Sequence, residues 1–432
     1  MNMRKHHLFI TVILVCSGLN AAAQDKDSAI IRIEGMIRDR ASGEAVPYAT
    51  IALAANSITT ISNDSGFFAI KIPVSAGRDT IYVSHIGYRS MGFTIRNATS
   101  ENAGSPSIDG SLMITLQRAP VQLPDITVTA ASPLTIIDKA IANIPVNYPT
   151  RPFVSLGFYR KDSRYKQKII EISEAVFDVY SPDNARMNMQ FRLIKARADR
   201  DIGALGGISY SVGVAPDALM DRDMVSRIHE TQILGDVGRN DHQFTYAGLI
   251  DYEGRTAFAI DFDEKDGIQK ALFKGRVIID TATMAFLCFD YGLSPKGIAY
   301  RSTGQTPLRG EMIANHFTIK YRPYGGKYYL NQSTVVARQH LFLENQPSVQ
   351  LDTLLTRLDY LVTRIDTGFI AYSRMGKTID NTKNIEHQVR ENAARRAEAY
   401  WENYNLIAAD YNVDSALSVI RSNNNAAKKG GR

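Results

Sequence analysis

The side chains that could do chemistry are few and widely spaced in this chain of 432 residues. Cys288 stands in the apolar run MAFLCFDYG, where a small buried hydrophobe is a better interpretation than a nucleophile. His85 has no second histidine or cysteine nearby. His229-Glu230 lacks the one-turn spacing that would place two zinc ligands on one helical face. The sequence therefore predicts no catalytic residue, no metal site and no cofactor.

Sequence motifs of the common catalytic and nucleotide-binding sites are missing as well. The chain contains no HExxH, GxSxG, Walker or GxGxxG pattern. The segment 261–267 (DFDEKDG) is superficially similar to a calcium loop. However, Lys265 occupies the fifth position, Asp266 replaces the required glycine and Leu272 stands where a glutamate is needed. We interpret this segment as a solvated hairpin turn.

The composition is that of a folded protein with a small excess of positive charge. Hydrophobic residues make up 44% and charged residues 22%, and the formal net charge is +6. The loss of Arg4 and Lys5 with a signal segment leaves about +4. Spread over this length, such an excess gives no reason to expect a nucleic-acid partner.

The first 23 residues have the organisation of a secretory signal peptide. Arg4 and Lys5 precede the apolar run LFITVILVCSGL, which is too short to span a bilayer. Small residues at 21–23 predict cleavage between Ala23 and Gln24. The mature chain then has no transmembrane segment, and Cys288 has no partner for an internal disulfide. We expect an exported protein in the periplasm or on the periplasmic face of the outer membrane.

Residues 28–118 are predicted to form a β-sandwich. Seven short runs rich in β-branched and aromatic residues follow one another with turn signals between them, and no helical pattern interrupts them. The turn Asn63-Asp64-Ser65-Gly66 joins two of these runs, and Gly87 precedes Tyr88 in another turn. Glycine at such positions tolerates a positive φ.

This region resembles the carboxypeptidase-like regulatory domain that is common in Bacteroidetes envelope proteins. The residues that carry the resemblance are Gly35, Asp39, Gly43, Pro47, Ala49, Asn63-Asp64-Ser65-Gly66-Phe67-Phe68 and Ser84-His85-Ile86-Gly87-Tyr88. The chain departs from the family at Asn63, where a threonine is usual. The resemblance implies a transthyretin-like (prealbumin-like) sandwich without catalytic residues.

Residues 119–149 are predicted to be a linker followed by a short helix. The stretch LPDITVTA is similar to the one that precedes the plug and barrel of TonB-dependent receptors. The next residues differ, because Ile136, Ile137, Ala140, Ile141 and Ile144 have helical spacing. Ser132-Pro133 predicts the start of the helix and Pro145 its end. The remaining chain is too short for a receptor barrel.

Residues 150–375 are predicted to form a larger antiparallel β-domain. Ten strand-like runs are separated by hairpin turns, which is typical of a meander. Residues 198–230 interrupt them with glycines and then a short helix around 216–228. An insertion of that length predicts a lid or a binding loop.

The run KGRVIIDTATMAFLCFDYGLSP predicts a strand, a tight turn and a returning strand. This pair resembles the repeated strand pair in the curved half-barrels of envelope lipoprotein-sorting and lipid-binding proteins. The resemblance implies a concave apolar face that could hold a lipid-like ligand. A closed barrel filled by its own side chains remains the alternative.

The C-terminal part is predicted to be helical over 382–421, with a disordered tail over 422–432. Ile385, Val389, Ala393, Tyr400 and Ile407 belong to one apolar stripe that continues to about residue 410. The stripe fits a helix packed on the second sheet or one that binds a partner. Five Asp-(Ser/Thr)-apolar triplets resemble the O-glycosylation motif of exported Bacteroidetes proteins, and we expect modification at Ser28.

These patterns favour a mainly β, two-part, non-enzymatic binding or assembly protein of the cell envelope. The second domain would hold an apolar ligand or an envelope protein partner. Two alternatives stay open. One is a hydrolase that acts on envelope glycan or peptide through carboxylates of the second domain, and the other is an accessory to a TonB-dependent outer-membrane transporter. Clustered buried carboxylates in a polar cleft would favour the hydrolase, and an apolar cleft lined by Phe and Tyr would favour the binding protein.

Overall fold

A computed structural model confirms the mainly β fold, with small N-terminal sheets, one large antiparallel sheet and a C-terminal helix. It describes residues 30–53, 58–94, 112–118, 132–182, 189–205, 223–300, 302–305, 308–343, 346–368, 376–380, 383, 385–393, 401 and 404–430. The predicted signal segment, the cleavage position at Ala23 and Gln24, and Ser28 lie outside the described residues.

Seven strands form the N-terminal sandwich at the positions where the sequence predicts them. They are β1 (Ile30–Asp39), β2 (Thr50–Leu53), β3 (Thr59–Ile61), β4 (Phe67–Pro73), β5 (Thr80–Ser84), β6 (Met91–Thr94) and β7 (Leu112–Leu116). One sheet has the order β4-β1-β7 and the other β3-β2-β5-β6. Alternate residues of β4, including Phe68 and Ile70, are fully buried between the sheets, as the period of two requires.

Two short helices, α1 (Pro133–Ala142) and α2 (Ile144–Asn147), lead into the second domain. Ile136, Ile137 and Ala140 are buried on one face of α1, as their spacing predicts. Pro145, which we expect to end the helix, instead lies in the first turn of α2. Proline is tolerated there because the first N–H groups of a helix have no partner within it.

Within the described ranges, the large sheet has ten strands in one path and an eleventh that pairs with β16. The strands are β8 (Phe153–Tyr165), β9 (Lys168–Ser181), β10 (Gln190–Arg200), β11 (His242–Tyr252), β12 (Arg255–Glu264), β13 (Phe273–Asp280), β14 (Phe286–Leu293), β15 (Ser302–Gln305), β16 (Leu308–Tyr324), β17 (Lys327–Leu343) and β18 (Gln346–Asp366). The path runs β10-β9-β8-β18-β17-β16-β14-β13-β12-β11, and every pairing is antiparallel.

The pairing of β8 with β18 joins the first and last strands of the domain inside the sheet, where they are the third and fourth strands counted from β10. Among the described residues β10 and β11 do not pair with each other, so the sheet stays open. The sequence left open whether this domain is a closed barrel. A closed barrel would join these two edge strands, so the structure is an open sheet instead.

The two faces of the large sheet have different environments. On one, which we call the cavity face, Tyr159, Phe177 and Tyr360 join an apolar cluster. On the other, which we call the sandwich face, Phe158 and Val176 pack with residues of the N-terminal sandwich and the C-terminal segment. Successive side chains of a strand point to opposite faces, so residues that are adjacent in sequence pack against different parts of the protein.

The C-terminal part differs from the prediction in two respects. Helices α5 (Ile385–Ala393) and α6 (Val413–Gly430) are present, but residues 404–412 between them are not helical. Asn405 explains this, because its side chain forms hydrogen bonds of 2.7 and 2.9 Å with the backbone of Lys71 at the edge of β4. An extended segment can reach this edge strand, whereas a continuous helix would turn Asn405 away from it.

The predicted disorder from residue 422 is wrong for 422–430, which are the second half of α6. Leu417 and Ile420 are buried against Ile172 of β9. The side chains of Asn423 and Asn424 form hydrogen bonds with Asp201 and the backbone of Arg200. Polar composition alone suggested a free tail, but these asparagines bind the end of β10.

Two further short helices, α3 (Asp236–Asp241) and α4 (Pro295–Ile298), and two single 3-10 turns complete the described helical segments.

Candidate functional site

A cavity of about 380 Å³ lies between the cavity face of the large sheet and the elements that cover it. Strands β8, β9, β16, β17 and β18 form its floor, and the α1–α2 region lies over them. The segment from Asp223 to His229, at the end of the predicted insertion, completes the wall. Its volume falls within the range of small-molecule sites. The described part of the insertion thus lies where a binding loop is expected.

The centre of the floor depends on a close contact between β8 and β18. A side chain at Gly157 would place its Cβ 2.6 Å from the ring of Tyr360. Glycine therefore leaves room for this ring to lie across the neighbouring strand. Val362 and Ser155 continue the floor on these two strands, and Val179 does so on β9. Burial raises the pKa of Tyr360.

Three tyrosines form the wall where α2 meets β16 and β17. The rings of Tyr148 and Tyr321 meet edge to face at 5.6 Å, and Tyr328 lies 6.1 Å from Tyr148. The Tyr148 hydroxyl donates to the carbonyl of Phe286 at 2.7 Å. Burial raises the pKa of Tyr148 and Tyr321 well above the usual value. Both phenols therefore stay neutral and present apolar ring surface.

The hairpin between β13 and β14 holds α2 in place over the sheet. Asp280 accepts hydrogen bonds from the backbone N–H groups of Ala282 and Thr283 at 2.8 and 2.9 Å, which forms the tight turn that the sequence predicts. The carbonyl of Thr283 then accepts a hydrogen bond from Asn147 at 2.8 Å. This turn therefore fixes the C-terminal end of α2, and with it the position of Tyr148.

Asp223 is the one carboxylate among the described residues that line the cavity. Its Oδ1 accepts a hydrogen bond from the hydroxyl of Tyr321 at 2.6 Å, and the same hydroxyl accepts one from the N–H of Val225 at 3.1 Å. Burial raises the pKa of Asp223, and the hydrogen bond from Tyr321 opposes this only in part. The carboxyl group of Asp223 is therefore a polar site in a mainly apolar wall.

Two buried carboxylates of the sheet, Glu174 and Asp162, lie on the sandwich face and are paired with arginines. Glu174 contacts both Arg160 and Arg197. Burial alone would raise the pKa of Glu174, but the two guanidinium groups outweigh it and lower the pKa. Asp162, whose pKa burial raises, contacts Arg164 on the same face. These carboxylates point away from the cavity, so they do not form a polar cleft with it.

The predicted turn residues of the sandwich adopt the geometry that their types allow. The side chain of Asn63 accepts a hydrogen bond from the N–H of Phe67 at 2.8 Å. Gly66 has φ of +82°, and a Cβ there would lie 2.4 Å from the carbonyl oxygen of Ile37. Gly87 has φ of +83°. The backbone therefore favours glycine in each of these two turns, by its positive φ at both positions and also by the close approach of Ile37 at Gly66.

Asp64 of the same turn reaches the second domain. Its Oδ1 accepts a hydrogen bond from Arg357 of β18 at 2.8 Å, and Arg357 also donates to the hydroxyl of Tyr48 at 2.6 Å. The sequence motif thus contributes a contact between the domains, which the sequence did not predict.

His85 and Cys288 do not belong to any cluster of reactive groups. Burial lowers the pKa of His85 to about 4, with the charge of Lys320 as a further cause, so its imidazole is neutral at pH 7. Cys288 is fully buried, and burial raises its pKa. Within the described ranges, no group of three or more His, Cys, Asp or Glu side chains could hold a metal ion.

Sequence reasoning missed the residues that shape the cavity. Asp223 stands in the insertion that was identified as a binding loop, but nothing in its neighbourhood distinguishes it from other acidic residues. Tyr321, Tyr328 and Tyr360 occur in strand-like runs, where an aromatic residue usually belongs to a filled core. Only the packing shows that these rings surround open space.

Comparison with known proteins identifies the N-terminal domain. The family model of the CarboxypepD_reg-like domain matches residues 33–108, which include most of the sandwich. No curated protein matches the chain. In the described residues, no helix is long and apolar enough to cross a membrane.

Several solved structures are similar to more than half of the chain at low identity. One is a putative outer membrane lipoprotein-sorting protein domain from Vibrio parahaemolyticus, with 10% identity over 56% of this chain and 95% of that chain and a TM-score of 0.24. A LolA superfamily protein from Nitrosomonas europaea has 8% identity over 57% and 99% of the two chains, with a TM-score of 0.24. TM-scores this low do not establish a shared function. The chain thus matches the CarboxypepD_reg-like family model over residues 33–108, and a larger antiparallel domain that contains the cavity follows the N-terminal sandwich.

Proposed function

We propose that this protein is a non-enzymatic binding or assembly protein of the cell envelope that holds an apolar small molecule in the cavity of its large sheet. The observation that supports this most is the lining of the cavity, which is dominated by rings and aliphatic side chains such as Tyr328, Tyr360 and Val362. Pockets of this size with few polar groups are typical of small-molecule sites.

The hydrolase alternative has less support. It requires carboxylates gathered in a polar cleft, whereas Asp223 is the one carboxylate among the described residues that line the cavity, and Glu174 is paired with Arg160 and Arg197 on the sandwich face. The described residues offer no specific observation in favour of an accessory to a TonB-dependent transporter.

The location and the role of the first domain complete the proposal. The signal-like segment 1–23, with cleavage between Ala23 and Gln24, supports export to the periplasm or the periplasmic face of the outer membrane. The sandwich would act as a spacer or as an interaction module for an envelope protein. Intact-mass measurement of the exported chain tests the cleavage position and O-glycosylation at Ser28.

The direct test is to extract the purified mature protein with organic solvent and analyse the extract by mass spectrometry. Binding of the uncharged probe N-phenyl-1-naphthylamine, measured by fluorescence, gives a second measurement. We expect a retained apolar molecule and saturable probe binding. An extract without such a molecule, together with no probe binding, would refute the proposal.

Two variants locate the binding. Val179→Phe places a ring in the cavity from a buried position on β9, so it should abolish probe binding while the circular dichroism spectrum is kept. Val237→Phe adds the same ring at a residue that is 74% exposed on α3, so it should bind the probe like the wild type. Equal binding by both variants would place the probe elsewhere.

A further inference from the structure

The carboxyl group of Asp223 is an acceptor that the described part of the cavity wall offers to a ligand. The hydroxyl of Tyr321 donates to Oδ1 at 2.6 Å, and the N–H of Ser226 approaches the same oxygen at 3.5 Å. Both of these hydrogen bonds end on Oδ1. Asp223 is half-buried and lines the cavity, so its carboxyl group, with Oδ2 as the oxygen that Tyr321 does not contact, is an acceptor at the cavity wall.

A purely apolar ligand would fit this wall poorly. Filling the cavity removes water from Asp223, and a buried acceptor then requires a donor. The surroundings of this carboxyl group are of low polarity, and its burial there raises its pKa. A second carboxylate placed beside Asp223 would add like-charge repulsion in a poorly screened site.

The volume of the cavity limits the size of the apolar part. At about 30 Å³ for a water-sized group, 380 Å³ holds about a dozen such groups. This is enough for one chain of about twelve carbon atoms and too little for several long acyl chains.

We propose that the ligand is a single-chain amphiphile whose head group donates a hydrogen bond to Oδ2 of Asp223, as an alcohol or an amine does and a fatty acid carboxylate does not. This inference rests on the proposed function, since it specifies the ligand of the same cavity.

The test compares three competitors of equal chain length for displacement of N-phenyl-1-naphthylamine: dodecan-1-ol, dodecylamine and dodecanoate. We expect the alcohol, the amine or both to bind the wild type at least tenfold more tightly than dodecanoate. The tighter of the two donors shows whether the natural head group is neutral or cationic. Equal binding of all three, or tightest binding of dodecanoate, would overturn the inference.

Asp223→Asn provides the sharper measurement. The amide oxygen can keep the hydrogen bond from Tyr321, while an N–H₂ donor replaces Oδ2 at the cavity wall. The preference for alcohol over carboxylate should therefore fall at least tenfold, which corresponds to about 1.4 kcal/mol. Asp266→Asn makes the same change at a fully exposed side chain and should leave the preference unchanged. An unchanged preference in Asp223→Asn would also overturn the inference.

The two proposals fail in different ways. If the probe does not bind, the cavity is not an apolar site, and both proposals are refuted. If the probe and all three competitors bind without regard to the head group, the apolar site stands and only the role of Asp223 is refuted. The comparison on the wild type decides this even if the Asn variant does not fold.

Discussion

Arg357 holds the sandwich and the large sheet together, and replacing it with methionine tests that contact. Its side chain is 11% exposed and contacts Asp359, which is 1% exposed, and Asp64, which is 49% exposed. Its guanidinium also lies 4.6 Å from the ring centroid of Tyr48. Burial alone would lower the pKa of Arg357, but the carboxylates of Asp359 and Asp64 outweigh it and raise the pKa.

The expected loss follows from the burial of the partner. Arg357→Met leaves the carboxylate of Asp359 inside the protein with only the hydroxyl of Thr334 as a described hydrogen-bond donor, at 2.9 Å. Removing one partner of a buried ion pair costs about 3–5 kcal/mol of the free energy of unfolding. The contact with half-exposed Asp64 is worth only about 0–1 kcal/mol. Adding Asp359→Asn removes the orphaned charge and should recover about 1–3 kcal/mol.

Urea unfolding measures these differences, followed by the fluorescence of Trp401 and by circular dichroism. Two probes are needed because a chain of two domains can unfold in more than one step. Trp401 is suitable because the guanidinium of Arg197 lies 4.7 Å from its ring, on the sandwich face. Arg276→Met is the matched control, since Arg276 is 40% exposed and its partner Asp261 is 45% exposed, so the change should cost at most about 1 kcal/mol. An Arg357→Met variant within 1 kcal/mol of the control would refute the reasoning.

Three further predictions concern single side chains. Because the pKa of His85 is about 4 in the folded protein and about 6.5 when unfolded, its contribution to stability is complete above pH 6.5 and is lost as the pH falls to 4. His85→Leu should remove on the order of 1–3 kcal/mol of that pH dependence, measured by urea titrations from pH 4 to 7. Gly43→Ala should lower the free energy of unfolding by about 1–2 kcal/mol because of its positive φ alone. Gly66→Ala should lower it by about 2–5 kcal/mol because the added Cβ also clashes with backbone. Equal thermal unfolding midpoints for the two variants would contradict this prediction. Leu417→Ala should lower the free energy of unfolding by about 2–5 kcal/mol and speed amide hydrogen exchange in α6. Val419→Ala, at a residue that is 58% exposed, should change the free energy of unfolding by no more than about 0.5 kcal/mol. Equal exchange rates in the two variants would mean that α6 does not pack on the sheet.

Local patterns in the sequence were sufficient for the strands. Runs of β-branched and aromatic residues bounded by turn residues predict all seven strands of the sandwich and the ten strands of the main path, because these residue types favour the extended backbone and the turn residues end it. The helix over 133–142 was predictable for the same kind of reason, since Ile136, Ile137 and Ala140 repeat with the period of a helix.

The same patterns were misleading near the C-terminus. Apolar residues at helical spacing suggested one helix to about residue 410, but Asn405 pairs with an edge strand more than 300 positions away. A polar composition suggested disorder after residue 421, but Asn423 and Asn424 bind the end of β10. Both errors arise because the decisive partner is remote in sequence and cannot be recognised from local composition.

The sequence by itself determined the mainly β class, the N-terminal sandwich and the succession of antiparallel strands, because strand-forming runs and turn residues encode them. Only the tertiary structure decided that the large sheet stays open, that its tyrosines surround a cavity and that Asp223 stands at the wall. Whether a buried ring fills space or borders it depends on which distant side chains pack against it, and that is a property of the assembled fold.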